Sequence, residues 1–280
     1  MRTTISNGNL AVTADTRGAE LVSVVFEGQE KLWQNESGEW AGHAPVLFPV
    51  CGNCAVQING EEFPVGRHGF ARNSEFRLVK QSVSSLCFEL KSNDETKSKY
   101  PFEFVFRVHY SLSGAKLRIV YEVENPTSAN LYFSCGGHES YLLTRPLREY
   151  ELKFPLKERF ESLLHDSEGR LTGETLDFGR GTRFLLPDDF LINGNTIIFK
   201  NLRSRRLSLC ETGGRKFAEV SFSGFSNLLL WRPGTQNMIC IEPWHNLPDG
   251  KTKEEFSDKQ GIISVPPCAK KRLVREIVYL

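Results

Sequence analysis

The chain has 280 residues, 40% hydrophobic and 25% charged, which is ordinary globular usage with enough apolar material for a sizeable core. Lysine plus arginine (35) nearly cancels aspartate plus glutamate (34), so no net field favours nucleic acid or an anionic membrane as partner. The opening Met1-Arg-Thr-Thr-Ile-Ser-Asn-Gly8 lacks the apolar stretch of a secretory leader and no run approaches a membrane span, so a cytoplasmic protein with a small partner is expected.

In chain order, the predicted elements follow a period of two. Asn7-Gly8 and Asn59-Gly60 mark early turns. Leu86, Phe88 and Leu90 share one strand face, and Phe102, Phe104, Phe106, Val108 and Tyr110 share another. After Ser111-Leu-Ser-Gly-Ala115 the alternation returns at Leu117, Ile119, Tyr121 and Val123, which predicts an antiparallel hairpin. Turn signals recur at Asn125-Pro126, Gly213-Gly214 and Asp249-Gly250, and Leu273 to Tyr279 reads as a last strand. Lys157 to His165 fits a short helix, or equally a strand and a turn; no long amphipathic helix is predicted. With no repeat, linker or composition break, residues 1–280 read as a single all-β domain, a large antiparallel β-sandwich. Exposed strand edges in such a fold are compatible with a monomer or a homodimer.

Seven cysteines, an odd number scattered through strand-like segments, read as reduced small hydrophobes. Cys51-Gly-Asn-Cys54 has CxxC spacing, but one pair cannot close a tetrahedral zinc site, and no metal or cofactor is expected.

Several segments carry groups suited to chemistry. His43 precedes the apolar run Val46-Leu-Phe-Pro49 and is open between a core hydrogen bond and a supporting role. Gly66-Arg67-His68-Gly69-Phe70-Ala71-Arg72 offers several donors for sugar hydroxyls or a phosphate, although an ordinary polar loop has the same composition. In Leu131-Tyr-Phe-Ser-Cys-Gly136-Gly137-His138-Glu139 a strand runs into two glycines, which permit close approach of backbone or ligand. His138 then stands at the strand's end, as a proton donor or a structural turn histidine. The basic run Lys200-Asn-Leu-Arg-Ser-Arg-Arg206 reads as a solvated edge, and His165 and His245 have no supporting pattern. In Asn237-Met-Ile-Cys-Ile-Glu242-Pro243-Trp244-His245 an apolar strand ends in a carboxylate that Pro243 keeps extended. Partial burial beside Trp244 would raise the pKa of Glu242 and make it a better base, and the indole offers a platform for a sugar ring. Taken alone, a solvated strand-end glutamate is the commoner state.

Together, His43-Ala-Pro-Val-Leu-Phe-Pro49, His68-Gly-Phe-Ala-Arg72, the Tyr110 to Pro126 hairpin, Gly136-Gly-His138, and Ile241-Glu-Pro-Trp244 with Leu247-Pro-Asp249 resemble the divergent bacterial branch of the aldose 1-epimerase family, also called galactose mutarotase-like. The resemblance implies a sugar substrate and interconversion of its α and β anomers without a cofactor. It implies Glu242 as the base that removes the C1 hydroxyl proton and His138 as the acid that protonates the ring oxygen. His68, Arg72 and Trp244 would bind the sugar. The two catalytic side chains are expected to converge on one cleft, about a sugar ring's width apart.

Three positions depart from the family's pattern. Asn53 stands where family members usually carry Arg, Asn195 where they usually carry Asp, and Glu139 where proline commonly follows the histidine. Loss of one positive and one negative group would keep the net charge while removing sugar contacts at Asn53 and Asn195. These departures keep open a non-catalytic carbohydrate-binding protein. A mutarotase for phosphorylated sugars, with Arg67, Arg72 or Arg232 as the clamp, is the other alternative. Glu139 is expected to point away from the His138 face.

Overall fold

The alternating apolar residues become strands. A computed structural model describes residues 1–35 and 38–280. About 51% of the chain is strand and 7% helix. Asn59 and Gly60 both adopt positive φ (51° and 81°), the conformation a two-residue hairpin turn requires, between the paired strands Val56–Ile58 and Glu61–Phe63.

The first four strands, Arg2–Ser6, Leu10–Asp15, Leu21–Phe26 and Gln29–Glu30, form a small antiparallel sheet. A 15-stranded antiparallel sheet holds the predicted hairpin, with Val105–Ser113 paired to Lys116–Glu124 and Ser113 opposite Lys116. Ser85–Lys91 pairs with the outer side of that hairpin, so Leu90 and Val123 flank Phe106. The last strand, Lys270–Tyr279, pairs with Lys116–Glu124 on the other side. Phe48 stacks on Phe106 at 4.3 Å and meets Phe104 edge-on, and this aromatic cluster fills the interior. Dispersion and burial of such rings are the main source of cohesion.

The segment Lys157 to His165 is not a helix; it belongs to one 16-residue strand, Tyr150–His165, paired with Leu171–Leu185. Its register shifts between Lys153 and Glu158, and these bulges blur the period-two signal that would have settled it. A short helix that sequence reading missed, Asp94–Lys99, is closed by a reciprocal cap between Asn93 and Thr96. All seven cysteines are free, and six are buried. Among the described residues, no helix is long and apolar enough to cross a membrane.

Candidate active site

The strand Met238–Trp244 is buried along its whole length and runs between Asn227–Trp231 on one side and the segments Gly136–Gly137 and Glu139–Leu142 on the other. Glu242 therefore lies inside the strand rather than at its end, 1% exposed, and the solvated reading does not hold. Gly136 pairs with Trp244 and Glu139 with Ile241. That register leaves His138 directly opposite Glu242, both side chains on one face. Cross-strand neighbours have Cβ atoms only ~5 Å apart, so the side chains meet rather than flank a ring. His138 Nε2 lies 3.3 Å from Glu242 Oε2, which corrects the expected spacing: the two groups converge, but as a contact pair.

The pair is buried and incompletely satisfied. His138 is stacked under Trp40 (5.2 Å) and met edge-on by Trp231 (5.8 Å) and His68 (5.7 Å). Burial pushes the His138 imidazole down to about 3 and pushes the Glu242 carboxyl well above the usual carboxylate range. The Arg67 guanidinium and the Trp244 indole N–H oppose the rise at Glu242, while the charge of Glu139 adds to it. His138 Nδ1, Glu242 Oε2 and Trp244 Nε1 are buried without a hydrogen-bond partner of good geometry. Unpaired buried polar atoms are costly, and three around one pair mark a place where a polar ligand would complete the bonding.

The cleft above the pair measures about 540 Å³, a volume suited to a small organic ligand. Three of the chain's four tryptophans line it: Trp40, Trp231 and Trp244. His68 also lines it; Gly52 N–H donates to its Nδ1 (3.1 Å), which leaves the proton on Nε2, and burial keeps the ring neutral. Arg67 and Arg72 face the cleft, and among the described residues neither forms an ion pair; Arg72 donates to the Arg67 carbonyl (3.2 Å). Desolvation and the nearby Arg67 lower the Arg72 pKa.

The two asparagines are placed differently. Asn195 lines the cleft and donates to the Phe190 carbonyl (3.0 Å). Asn53 instead borders a small adjoining cavity, and its amide donates to the Glu168 carbonyl. The pair thus does not converge on His138. Arg232 is paired with Asp188 and does not line the cleft. His43 faces a neighbouring cavity of about 420 Å³ that shares Trp40 and Arg72 as a wall. Glu139 points away from the cleft, as alternation requires, and pairs with Arg275.

Sequence reading missed Trp40, Trp231 and His165 as cleft residues. His165 Nε2 accepts from Thr196 N–H (3.2 Å) while its Nδ1 bonds the Asp166 carbonyl (2.8 Å), so its ring ties the 166–170 turn to the Asn195–Thr196 loop. A metal has one candidate cluster among the described residues: His138, Cys240 and Glu242 offer ligand atoms within 4.8 Å of one another. Burial holds both the Cys240 thiol and the Glu242 carboxyl toward their protonated forms, which works against a cation there.

The sequence model of the aldose 1-epimerase family matches residues 1–257. The chain belongs to the aldose 1-epimerase family. It is 30% identical to the plasmid-encoded LacX protein of Lactococcus lactis subsp. lactis, over 99% of this chain and 98% of that protein. A galactose mutarotase-like protein from Lactobacillus casei superposes with a TM-score of 0.92, 26% identity and full coverage of both chains. A galactose mutarotase related enzyme from Lactobacillus acidophilus gives 0.91 and 28%, covering 100% of this chain and 97% of that one. The fold these proteins share is the large antiparallel β-architecture described above.

Proposed function

We propose that this family member is an isomerase interconverting the α and β anomers of a hexose or related sugar, acting in the cytoplasm as one domain spanning residues 1–280. The observation that carries the reading is the buried His138–Glu242 contact at the floor of a tryptophan-lined cleft.

Burial disfavours both the carboxylate and the imidazolium, so the resting pair holds one proton, as carboxylic acid beside neutral imidazole. Passing that proton to His138 makes Glu242 the base and His138 the acid. Glu242 then takes the C1 hydroxyl proton while His138 protonates the ring oxygen. The C1–O5 bond breaks, C1 becomes a carbonyl, and rotation about C1–C2 lets the ring close on the opposite face. The protons return in reverse order. Arg67 and the Trp244 N–H support the transient carboxylate, His68 and Arg72 contact hydroxyls, and the tryptophan faces cover the apolar side of the ring. No step requires a cofactor.

A second reading is favoured by Arg67 and Arg72, two guanidinium groups facing the cleft with no carboxylate on either among the described residues. A phosphorylated sugar would satisfy both. Anomer exchange followed by NMR magnetisation transfer, across free and phosphorylated hexoses, tests both readings against the Glu242→Gln protein as blank. Acceleration confined to phosphorylated sugars supports the second; binding of sugar without acceleration of any would leave a carbohydrate-binding protein.

A further inference from the structure

The backbone that carries His138 is poorly specified by its own sequence. Two glycines precede the histidine, and His138 itself lies outside the regular strand, between Gly136–Gly137 and Glu139–Leu142. Such a segment samples many conformations unless something outside it fixes the chain. Strand pairing holds Gly136 and Gly137 against Leu47 and Val46 and Glu139 against Ile241, and Arg275 adds a side-chain contact on the face opposite the cleft.

Arg275 lies on the Lys270–Tyr279 strand, 1% exposed, and five strands separate it in sheet order from Met238–Trp244. Its guanidinium reaches across the interior and bonds both carboxylate oxygens of Glu139. Nη2 also donates to the Tyr121 hydroxyl at 2.8 Å, and the rings of Tyr121 and Phe225 lie 5.4 and 5.9 Å from the guanidinium carbon. On the other side of His138, the guanidinium occupies the space a Cβ on Gly137 would need. One buried side chain thus contacts both neighbours of His138, on the face opposite the cleft.

A buried ion pair of this kind seldom stabilises a fold relative to apolar residues of similar volume. What a planar fork chelating one carboxylate does supply is a fixed position and orientation. We infer that Arg275 and Glu139 are positioning residues for the active site, a clamp that fixes the Gly137–Glu139 backbone so that the His138 ring meets Glu242. The inference rests on the reading that His138 and Glu242 perform the chemistry, but the clamp itself is a claim about where His138 is held.

The test is the double variant E139L/R275M, which replaces the ion pair by an apolar pair, with R275K alongside. Three properties are measured: cooperative unfolding, kcat and KM for anomer exchange, and the imidazole NMR signals of His138, assigned with the His138→Asn protein. The double variant is expected to fold cooperatively, with kcat lowered about tenfold or more and KM within about threefold, because misplacement of a catalytic group lowers turnover more than binding. Its His138 signals are expected to broaden or split. A folded double variant with wild-type kcat and one sharp His138 signal would overturn the inference. If the double variant does not fold, R275K decides by the same measures, since its ammonium keeps the charge without the fork. If the wild-type protein does not accelerate anomer exchange, the functional reading fails, and the His138 signal alone decides whether the clamp exists.

Discussion

His138 and Glu242 approach to 3.3 Å because they stand opposite one another on neighbouring segments of the sheet, with Trp40 and Trp231 against the imidazole and the cleft above the pair. Register brings the two residues face to face, and the Arg275–Glu139 clamp holds the backbone of His138, which lies just outside the regular strand. On the proposed reading of this pair as base and acid, a single shared proton determines how the site responds to mutation and to pH.

Glu242→Gln keeps the shape of the side chain and removes its basicity. The fold is expected to survive, since the amide matches the neutral carboxyl of the resting pair in shape and charge, while turnover falls by about 10²- to 10⁴-fold, the usual worth of a positioned acid or base. Anomer exchange by magnetisation transfer measures this directly. Retained turnover would remove Glu242 from the chemistry.

The pH profile follows from the same shared proton. The active one-proton state persists between the titration of His138, about 3, and that of Glu242, which burial raises well above the usual carboxylate range. The rate is therefore expected to stay flat on the acid side down to the limit of folding. It should fall on the alkaline side, where Glu242 loses the proton and no acid remains. A profile that instead lost activity near pH ~6.5 on acidification would show that His138 titrates as an ordinary histidine.

Much of this was legible in the sequence. The period-two faces of Phe102 to Tyr110 and Leu117 to Val123 became the central hairpin because a half-buried strand leaves that imprint. The segments bearing His138, His68, Glu242 and Trp244 were found by their glycine, proline and aromatic neighbours. What remained hidden is contact between distant segments. Trp40 and Trp231 sit 191 positions apart in number yet box the same imidazole, and Arg275 reaches Glu139 from the last strand. No local pattern encodes such meetings; the scarcity of tryptophan, four in 280 residues, is a signal that would have singled out Trp40 and Trp231. Asn53 shows the converse: expected from the resemblance to sit at a sugar-contacting position, it holds a backbone carbonyl of the neighbouring turn instead.

Asn53→Ala should therefore affect binding through the 166–170 turn, whose Asp166, Ser167 and Gly169 line the cleft. Loss of one such hydrogen bond, worth about 1 kcal/mol, corresponds to a rise in KM of about fivefold, with kcat nearly unchanged. Steady-state kinetics on the best sugar gives the answer. A loss confined to kcat would place Asn53 in the catalytic step.

Stability should fall on mild acidification. Burial holds His138 down to about 3, His245 down to about 4 and His68 well below its ordinary value, whereas each titrates near ~6.5 when unfolded. As pH drops below ~6.5, the unfolded chain takes up protons that the folded chain refuses, at up to about 1.4 kcal/mol per pH unit for each group. Glu242 acts with the opposite sign, since its folded pKa is raised and its contribution disappears as pH rises through that value. In urea unfolding between pH 6.5 and 5, above the range of most carboxylates, the three histidines together outweigh the opposing contribution of Glu242. A midpoint that is constant or rises across that window would contradict their burial as neutral rings.

Trp40 provides the most direct test of what keeps His138 neutral. Its ring covers the imidazole at 5.2 Å and 28°, and burial is the leading cause of the low His138 pKa. Trp40→Ala admits water to that face, so the His138 pKa should rise from about 3 toward its ordinary value, and an acid limb should appear in the pH–rate profile where the wild-type protein has a plateau. Trp40→Phe keeps an aromatic cover and should shift the limb less. The imidazole signals of His138, followed by NMR across pH, report the same change without reference to activity. An unshifted titration in Trp40→Ala would mean that Trp231, His68 and the sheet suffice to exclude water, leaving Trp40 as a sugar platform whose loss raises KM alone.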